Sequence, residues 1–321
     1  MKYALGIEIG GTKLQAGVGL REEKLIALAR RTVDPAEGAE GIRREIPPLV
    51  EEALALAKVS QKDIDGIGVG FGGPLDSKRG ITLVSHQIEG WADFPLRAWF
   101  EEQWGVPCSI QNDANIAGYA EAVLGAGRGK RRIFYITIGS GIGGGWIVDG
   151  IIDEGQGLGA AEIGHTWVPD PDTGEPEKLE LVCSGWSIAR RAREALEDGE
   201  TSLLSELCSG NPENLTAKTV YAAAEREDWV ARAILEETCD TLATAIGNVI
   251  ALLHPERIII GGGVSLMGPI FWDSLREKIR RYVFKPFADR YEIVPSALGE
   301  EVVIIGAVLL GQQIGMNYKT S

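Results

Sequence analysis

Cysteine, histidine and positive charge are all scarce in this chain, and each scarcity narrows the reading. The 321 residues hold four cysteines and three histidines. Cys108, Cys183, Cys208 and Cys239 lie far apart and form no C-x-x-C pair, so they read as buried free thiols of a cytosolic protein. Lysine and arginine number 32 against 46 acidic residues, a formal charge of −14. A nucleic-acid or anionic-membrane surface needs a basic footprint and is not expected, although a local basic pocket for a nucleotide is compatible with this balance. No run approaches the roughly 18 apolar residues that would span a bilayer. Low-complexity tracts are absent, and Met1-Lys2 leads straight into a strand with no signal-peptide layout, so a cytoplasmic location is expected.

What is present fits a globular α/β protein of about two domains, with 45% hydrophobic and 24% charged residues. Strand patterns fall at about 3–9, 14–20, 25–33, 64–71, 107–111, 132–138, 145–149, 257–261 and 290–294. Helical patterns fall at about 38–58, 95–104, 114–125, 184–197, 216–225, 228–253 and 303–316. Pro47-Pro48 should bend or break the helix near 38–58. The polar, glycine-rich stretch Gly125-Ala126-Gly127-Arg128-Gly129 suggests a lobe boundary near 125–131, and PDPDTGEP (169–176) reads as an exposed loop.

Residues 137–150 read TIGSGIGGGWIVDG, and Gly139, Gly141 and Gly144 match the spacing of a dinucleotide fingerprint. That fingerprint requires a helix after the glycines. Here a second short β-type run follows, so the unit is a strand–glycine turn–strand hairpin. Residues 3–19, YALGIEIGGTKLQAGVG, repeat the unit around Gly10, Gly11, Thr12 and Lys13. One such loop is explained by a tight turn. Two of them, each with a hydroxyl (Thr12; Ser140), suggest related lobes that clamp phosphate with converging backbone N–H groups.

Acids and amides lie between and after these turns. Gln111-Asn112-Asp113 ends a strand and opens a helix, a place for N-capping and also for a general base, with Asn112 holding a neighbouring hydroxyl. Glu162 and His165 sit in GAAEIGH, and Glu180 in KLELVCSG. Singly these read as structural or ion-paired residues; together they supply the acceptors a hydroxyl-rich ligand needs. Gly261-Gly262-Gly263 follows the strand RIII and precedes a helix, as a tight turn or as side-chain-free backbone against adenosine.

Taken in order, GIEIGGTK (6–13), GFGGPLD (70–76), QNDAN (111–115), TIGSGIGGG (137–145), EIGH (162–165), LELVCSG (179–185) and HPERIIIGGGVS (254–265) make the chain similar to the ROK family of sugar kinases, from about Tyr3 to Gly315. The resemblance implies a two-lobed actin-like ATPase (ribonuclease H-like) α/β fold with a central cleft. The small lobe would be 1–115 plus 303–321 and the large one 116–302, usually carrying a dimer interface. By the same resemblance Asp113 is the catalytic base. Gly73, Asn112, Asp113, Glu162, His165 and Glu180 bind the sugar. Gly10, Gly11, Thr12, Lys13, Thr137, Gly139, Ser140, Gly141, Gly262 and Gly263 hold ATP. The implied reaction is in-line phosphoryl transfer from Mg-ATP to a hexose hydroxyl, with glucose to glucose 6-phosphate the leading assignment.

Three departures from the family pattern matter. Glu8 stands where Asp is usual; Leu5, Ile7 and Ile9 alternate with it, so it should point away from the apolar face, toward a hydrated Mg²⁺. Many members carry a zinc site of three cysteines between the EIGH histidine and the sugar-binding Glu; residues 167–179 have none, so no structural zinc is expected and the loop at 169–176 needs another support. Gln87, in SHQIEGW, stands where many relatives have Asn, which leaves N-acetylmannosamine, N-acetylglucosamine, fructose, mannose and allose open as substrates. Among rivals, a sugar-responsive repressor would carry a helix-turn-helix before the first strand, and a non-catalytic sugar-binding protein would lack Asp113. A polyphosphate-using kinase would have an altered first glycine loop.

Overall fold

The computed structural model describes residues 2–20, 25–83 and 88–320, with side chains described as far as Met316. Gln87 lies outside the described residues. The chain begins with β1 (Tyr3–Ile9), β2 (Lys13–Gly19), β3 (Ala27–Thr32), α1 (Gly38–Ala57) and β4 (Ile64–Phe71). Next come β5 (Leu75–Asp76), β6 (Ile81–Thr82), α2 (Leu96–Trp104), β7 (Cys108–Asn112) and α3 (Asp113–Leu124). A second series follows with β8 (Arg132–Ile138), β9 (Ile142–Val148), β10 (Ile151–Ile152), β11 (Trp167–Pro169) and β12 (Pro176–Lys178). The helices α4 (Leu179–Cys183), α5 (Gly185–Glu197), α6 (Leu204–Leu207), α7 (Ala217–Glu225) and α8 (Trp229–Leu253) come next. The chain closes with β13 (Arg257–Gly261), α9 (Gly268–Tyr282), β14 (Glu292–Pro295) and α10 (Val302–Thr320).

The internal repeat suggested by the two glycine hairpins extends to whole sheets. The first has the order β3-β2-β1-β4-β7 and the second β10-β9-β8-β13-β14. In the first, β1 pairs antiparallel with β2 and parallel with β4, which pairs parallel with β7. In the second, β13 lies parallel to both β8 and β14. The chain divides into two compact units: residues 1–129, 145–160 and 297–321, and residues 130–144 and 161–296. The first division falls after Gly129 and not after residue 115. The reason is local: α3 packs on α10, where a side chain at Gly306 would lie 2.3 Å from Ile116.

β1 is buried along Ala4–Ile9, covered on both faces as a central strand of a mixed sheet should be. α10 crosses β1 and β4 so closely that a Cβ at Gly68 would stand 2.0 Å from the Ala307 carbonyl oxygen. Residues 299–316 are long and apolar enough, by length and composition, to cross a membrane, although Glu300, Glu301, Gln312 and Gln313 interrupt the apolar run. That apolar surface is spent on the first sheet, with Ile304, Ala307 and Val308 buried. α1 runs unbroken through Pro47 and Pro48, contrary to the break expected there as one alternative. Ile42, Ile46, Leu49, Val50 and Ala53 hold it through burial against β2 and β3, which offsets the two lost backbone donors. α9 is the helix expected after Gly261–Gly263, for which no range was read, and Phe271, Trp272, Leu275 and Ile279 give it a buried helical stripe. All four cysteines are buried free thiols, as their spacing indicated.

Candidate active site

Each unit brings part of the sequence-derived set together. In the first, parallel pairing sets the carboxyl ends of β1, β4 and β7 level, with Ile9 opposite Phe71 and Phe71 opposite Asn112. This is the edge of an open sheet where ligands bind. The β1–β2 turn closes through Gly10 N–H donating to the Lys13 carbonyl (2.9 Å), and Thr12 is exposed. Gly72, whose N–H donates to Ile9, passes so near Asp113 that a Cβ there would stand 3.4 Å from Oδ2.

The structure separates the two roles read for Asn112 and Asp113. Asn112 is the N-cap of α3, its Oδ1 accepting from Ala114 N (2.9 Å) and Asn115 N (3.3 Å). Only its amide N–H₂ remains for a ligand, 3.5 Å from the Gly73 carbonyl. Asp113 occupies the first turn, with Oδ1 accepting from Ala114 N (2.8 Å). Sequence reasoning missed the network behind them. Gln111 is buried, accepts from Asn112 N (2.9 Å) and donates to Glu154 (2.7 Å); Ser77 donates to the same carboxylate. Residues 77, 111 and 154 share no local pattern, so no sequence signal joins them.

Glu8, expected to point toward a hydrated Mg²⁺, is only 6% exposed. Lys13 Nζ binds its Oε1 at 2.9 Å, which engages one expected phosphate ligand, while Oε2 is buried with no hydrogen-bond partner. Burial pushes the carboxyl above its ordinary value of 4.5, Lys13 pulls it back, and the charge of Asp113 pushes it up again. Magnesium takes one or two carboxylates and fills the remaining positions with water and phosphate oxygens. An orphaned Oε2 beside a second carboxylate fits that donor set. Among the described residues no group of three or more His, Cys, Asp or Glu could hold a metal, so water and substrate would supply most ligands.

A carboxyl whose folded value is raised makes stability fall as pH climbs from its unfolded value through its folded one. Glu8→Gln should therefore gain in Tm relative to the parent as pH rises above 4.5. A Tm deficit that grows with pH would show that the Lys13 ion pair outweighs the burial cost.

In the second unit, the β8–β9 turn closes through Gly139 N–H to the Gly141 carbonyl (2.9 Å), leaving Ser140 exposed. Glu180 lies against this turn. Its Oε2 accepts from Ile142 N at 2.7 Å, and a Cβ on Gly141 would collide with it at 2.4 Å. The 3₁₀ turn Ile163–His165 is pressed on β9, where a Cβ at Gly164 would stand 2.1 Å from the Ile142 carbonyl oxygen. Glu162 and His165 are thus held beside Glu180 and keep solvent contact. Desolvation raises the Glu162 carboxyl, His165 opposes that, and Glu180 adds to it.

A cavity of about 760 Å³ opens beside the same turn. Gly139, Ser140 and Gly263 line it, which gathers three residues assigned to the nucleotide. Trp186, Arg193, Lys218 and Tyr221 also line it and were not picked out from the sequence. Thr137 pairs with Gly261 in the sheet, so the glycine run after β13 starts level with the end of β8.

The model of the ROK family matches residues 4–314. A glucokinase of Thermotoga maritima is 33% identical over 317 residues, 97% of this chain and 98% of that protein. The structure of a ROK family glucokinase from Streptomyces griseus, in complex with glucose and AMPPNP, is similar with a TM-score of 0.82 at 30% identity, covering 97% and 99% of the two chains. A ROK hexokinase from Thermus thermophilus gives a TM-score of 0.81 at 27% identity, covering 99% and 100%.

Proposed function

The chain belongs to the ROK family, and from that premise we propose that it is an ATP-dependent kinase that converts glucose to glucose 6-phosphate. Support comes from relatives named glucokinase and from a similar protein solved with glucose and AMPPNP. The observation that carries the mechanism is Asp113, held by Ala114 N–H at the carboxyl edge of the first sheet beside Gly72.

In the proposed reaction Asp113 accepts the proton of the sugar 6-hydroxyl as its oxygen attacks the γ-phosphorus and ADP leaves. Asn112 donates its amide to a sugar hydroxyl, the Gly73 backbone assists, and Glu162, His165 and Glu180 bind further hydroxyls. Gly10, Gly11, Thr12, Lys13, Thr137, Gly139, Ser140 and Gly141 bind phosphate. Gly262 and Gly263 border adenosine, for which the 760 Å³ cavity has ample room. Magnesium bound at Glu8 would neutralise charge on the phosphate oxygens. Positioning and charge neutralisation supply most of the rate. A homodimeric, cytoplasmic enzyme completes the proposal, and light scattering tests the dimer.

The test is ADP release with Mg-ATP across hexoses and N-acetylhexosamines, repeated with polyphosphate as donor. Glucose should give the highest kcat/KM with ATP. Preference for another sugar by tenfold or more would reassign the acceptor. Turnover with polyphosphate alone would reassign the donor.

A further inference from the structure

Resting on the kinase reading, we propose that Arg191 is a positioning residue for the sugar site, clamping the β11–β12 hairpin whose two ends carry His165 and Glu180. His165 lies two residues before β11, and Glu180 lies two residues after β12. Leu179 N–H to the Thr166 carbonyl (2.9 Å) closes the hairpin at that end. Its far end is the loop Asp170–Glu175, ordered by Asp170 Oδ1 accepting from Asp172 N and Thr173 N.

This loop has little else to hold it. Val168 is buried at 3%, but from Pro169 to Pro176 no apolar side chain is buried. The tether is ionic. Arg191, on α5, is only 5% exposed and grips Asp172 with both ends of its fork, Nε to Oδ2 and Nη2 to Oδ1, each 2.9 Å. Nη2 also binds Glu237 of α8, and Nη1 lies 3.5 Å from the Ile234 carbonyl. A planar bidentate pair fixes direction as well as distance, which a single-point ammonium cannot do. α5 starts at Gly185, whose N–H donates to Gly139 of the second glycine turn at 2.7 Å. One helix thus fixes the hairpin tip through Arg191 and touches the phosphate turn through its first residue.

The asymmetry of burial makes the clamp testable. Asp172 and Glu237 are each 49% exposed, so removing Arg191 leaves no buried charge unpaired. Arg191→Met fills similar volume with an apolar chain and should fold. Asp172→Ala frees the loop while leaving Arg191 paired with Glu237. In both variants the KM for the sugar, and the Kd for sugar read from tryptophan fluorescence without nucleotide, should rise about tenfold. The KM for ATP should change less than threefold. Hydrogen exchange of amides 168–176 should accelerate in both. Arg191→Lys should recover only part of the sugar affinity.

Sugar KM and Kd within twofold of the parent in both folded variants would overturn the proposal and leave a merely structural ion triad. A parent that binds sugar but transfers no phosphate would overturn the kinase reading alone, and the Kd comparison would still decide this one. A parent that binds no sugar would overturn both.

Discussion

Asp113→Asn should lower kcat by about three orders of magnitude while the sugar still binds, the loss expected when a positioned general base is removed. The substitution is isosteric and keeps the bond to the first turn of α3. Asp113 Oδ1 accepts from Ala114 N at 2.8 Å, and an asparagine carbonyl oxygen can accept the same bond. The cap of α3 is unaffected because Asn112 supplies it. What the amide cannot do is take a proton from the attacking hydroxyl. The separation between turnover and binding is therefore the diagnostic: kcat and kcat/KM fall together while the sugar Kd measured by fluorescence moves less than about threefold. Near-parental turnover would remove Asp113 from the mechanism. Loss of binding to the same degree as turnover would make it a sugar ligand and not a base.

The parts of this site that were legible in the sequence are those whose chemistry is local. Each glycine hairpin announces itself by alternating β-type residues around a glycine cluster, and the two copies suggested two related lobes, which the structure extends to two sheets of the same strand order. Asn112 and Asp113 stand at a strand–helix junction, where capping preference marks the place. What stayed hidden depends on residues far apart in the chain. Lys13 and Glu8 read separately, as a phosphate ligand and as a carboxylate toward a hydrated Mg²⁺, and only the fold shows them ion-paired with the carboxylate buried. Glu180 reads as one more sugar carboxylate, whereas one of its oxygens already serves Ile142 N. The network from Ser77 through Glu154 to Gln111 has no sequence signature at all. The Pro-Pro pair in α1 shows the converse: a strong local signal loses to burial on both sides of it.

Gly261, Gly262 and Gly263 look equivalent in sequence, yet alanine should be nearly forbidden at the middle position and tolerated at the last. Gly262 has φ +83° and ψ 170°, a region essentially reserved for glycine. A Cβ there would stand 2.4 Å from the Ile138 carbonyl oxygen, 2.6 Å from its carbon and 2.7 Å from the Ile138 nitrogen, all backbone atoms of the strand that leads into the second glycine turn. Relief would require moving the end of β8, and with it Gly139 and Ser140 at the cavity wall. Gly262→Ala should therefore cost about 3 kcal/mol or more in stability. It should also raise the KM for ATP by at least about tenfold, since a shift near 1 Å in a positioned group costs up to a hundredfold. A methyl group at Gly263 would meet nothing within 4 Å, and the backbone there has no positive φ. Gly263→Ala should leave stability within about 1 kcal/mol, because Ala at a compatible position restricts the unfolded chain as much as it perturbs the folded one. Any effect it has should fall on ATP alone, through the cavity it lines. Chemical denaturation and ATP titration of the two variants check both halves. Equal stability losses at the two positions would mean that the end of β8 yields to the added methyl, and that the second glycine turn is less firmly fixed than the contact with Ile138 requires.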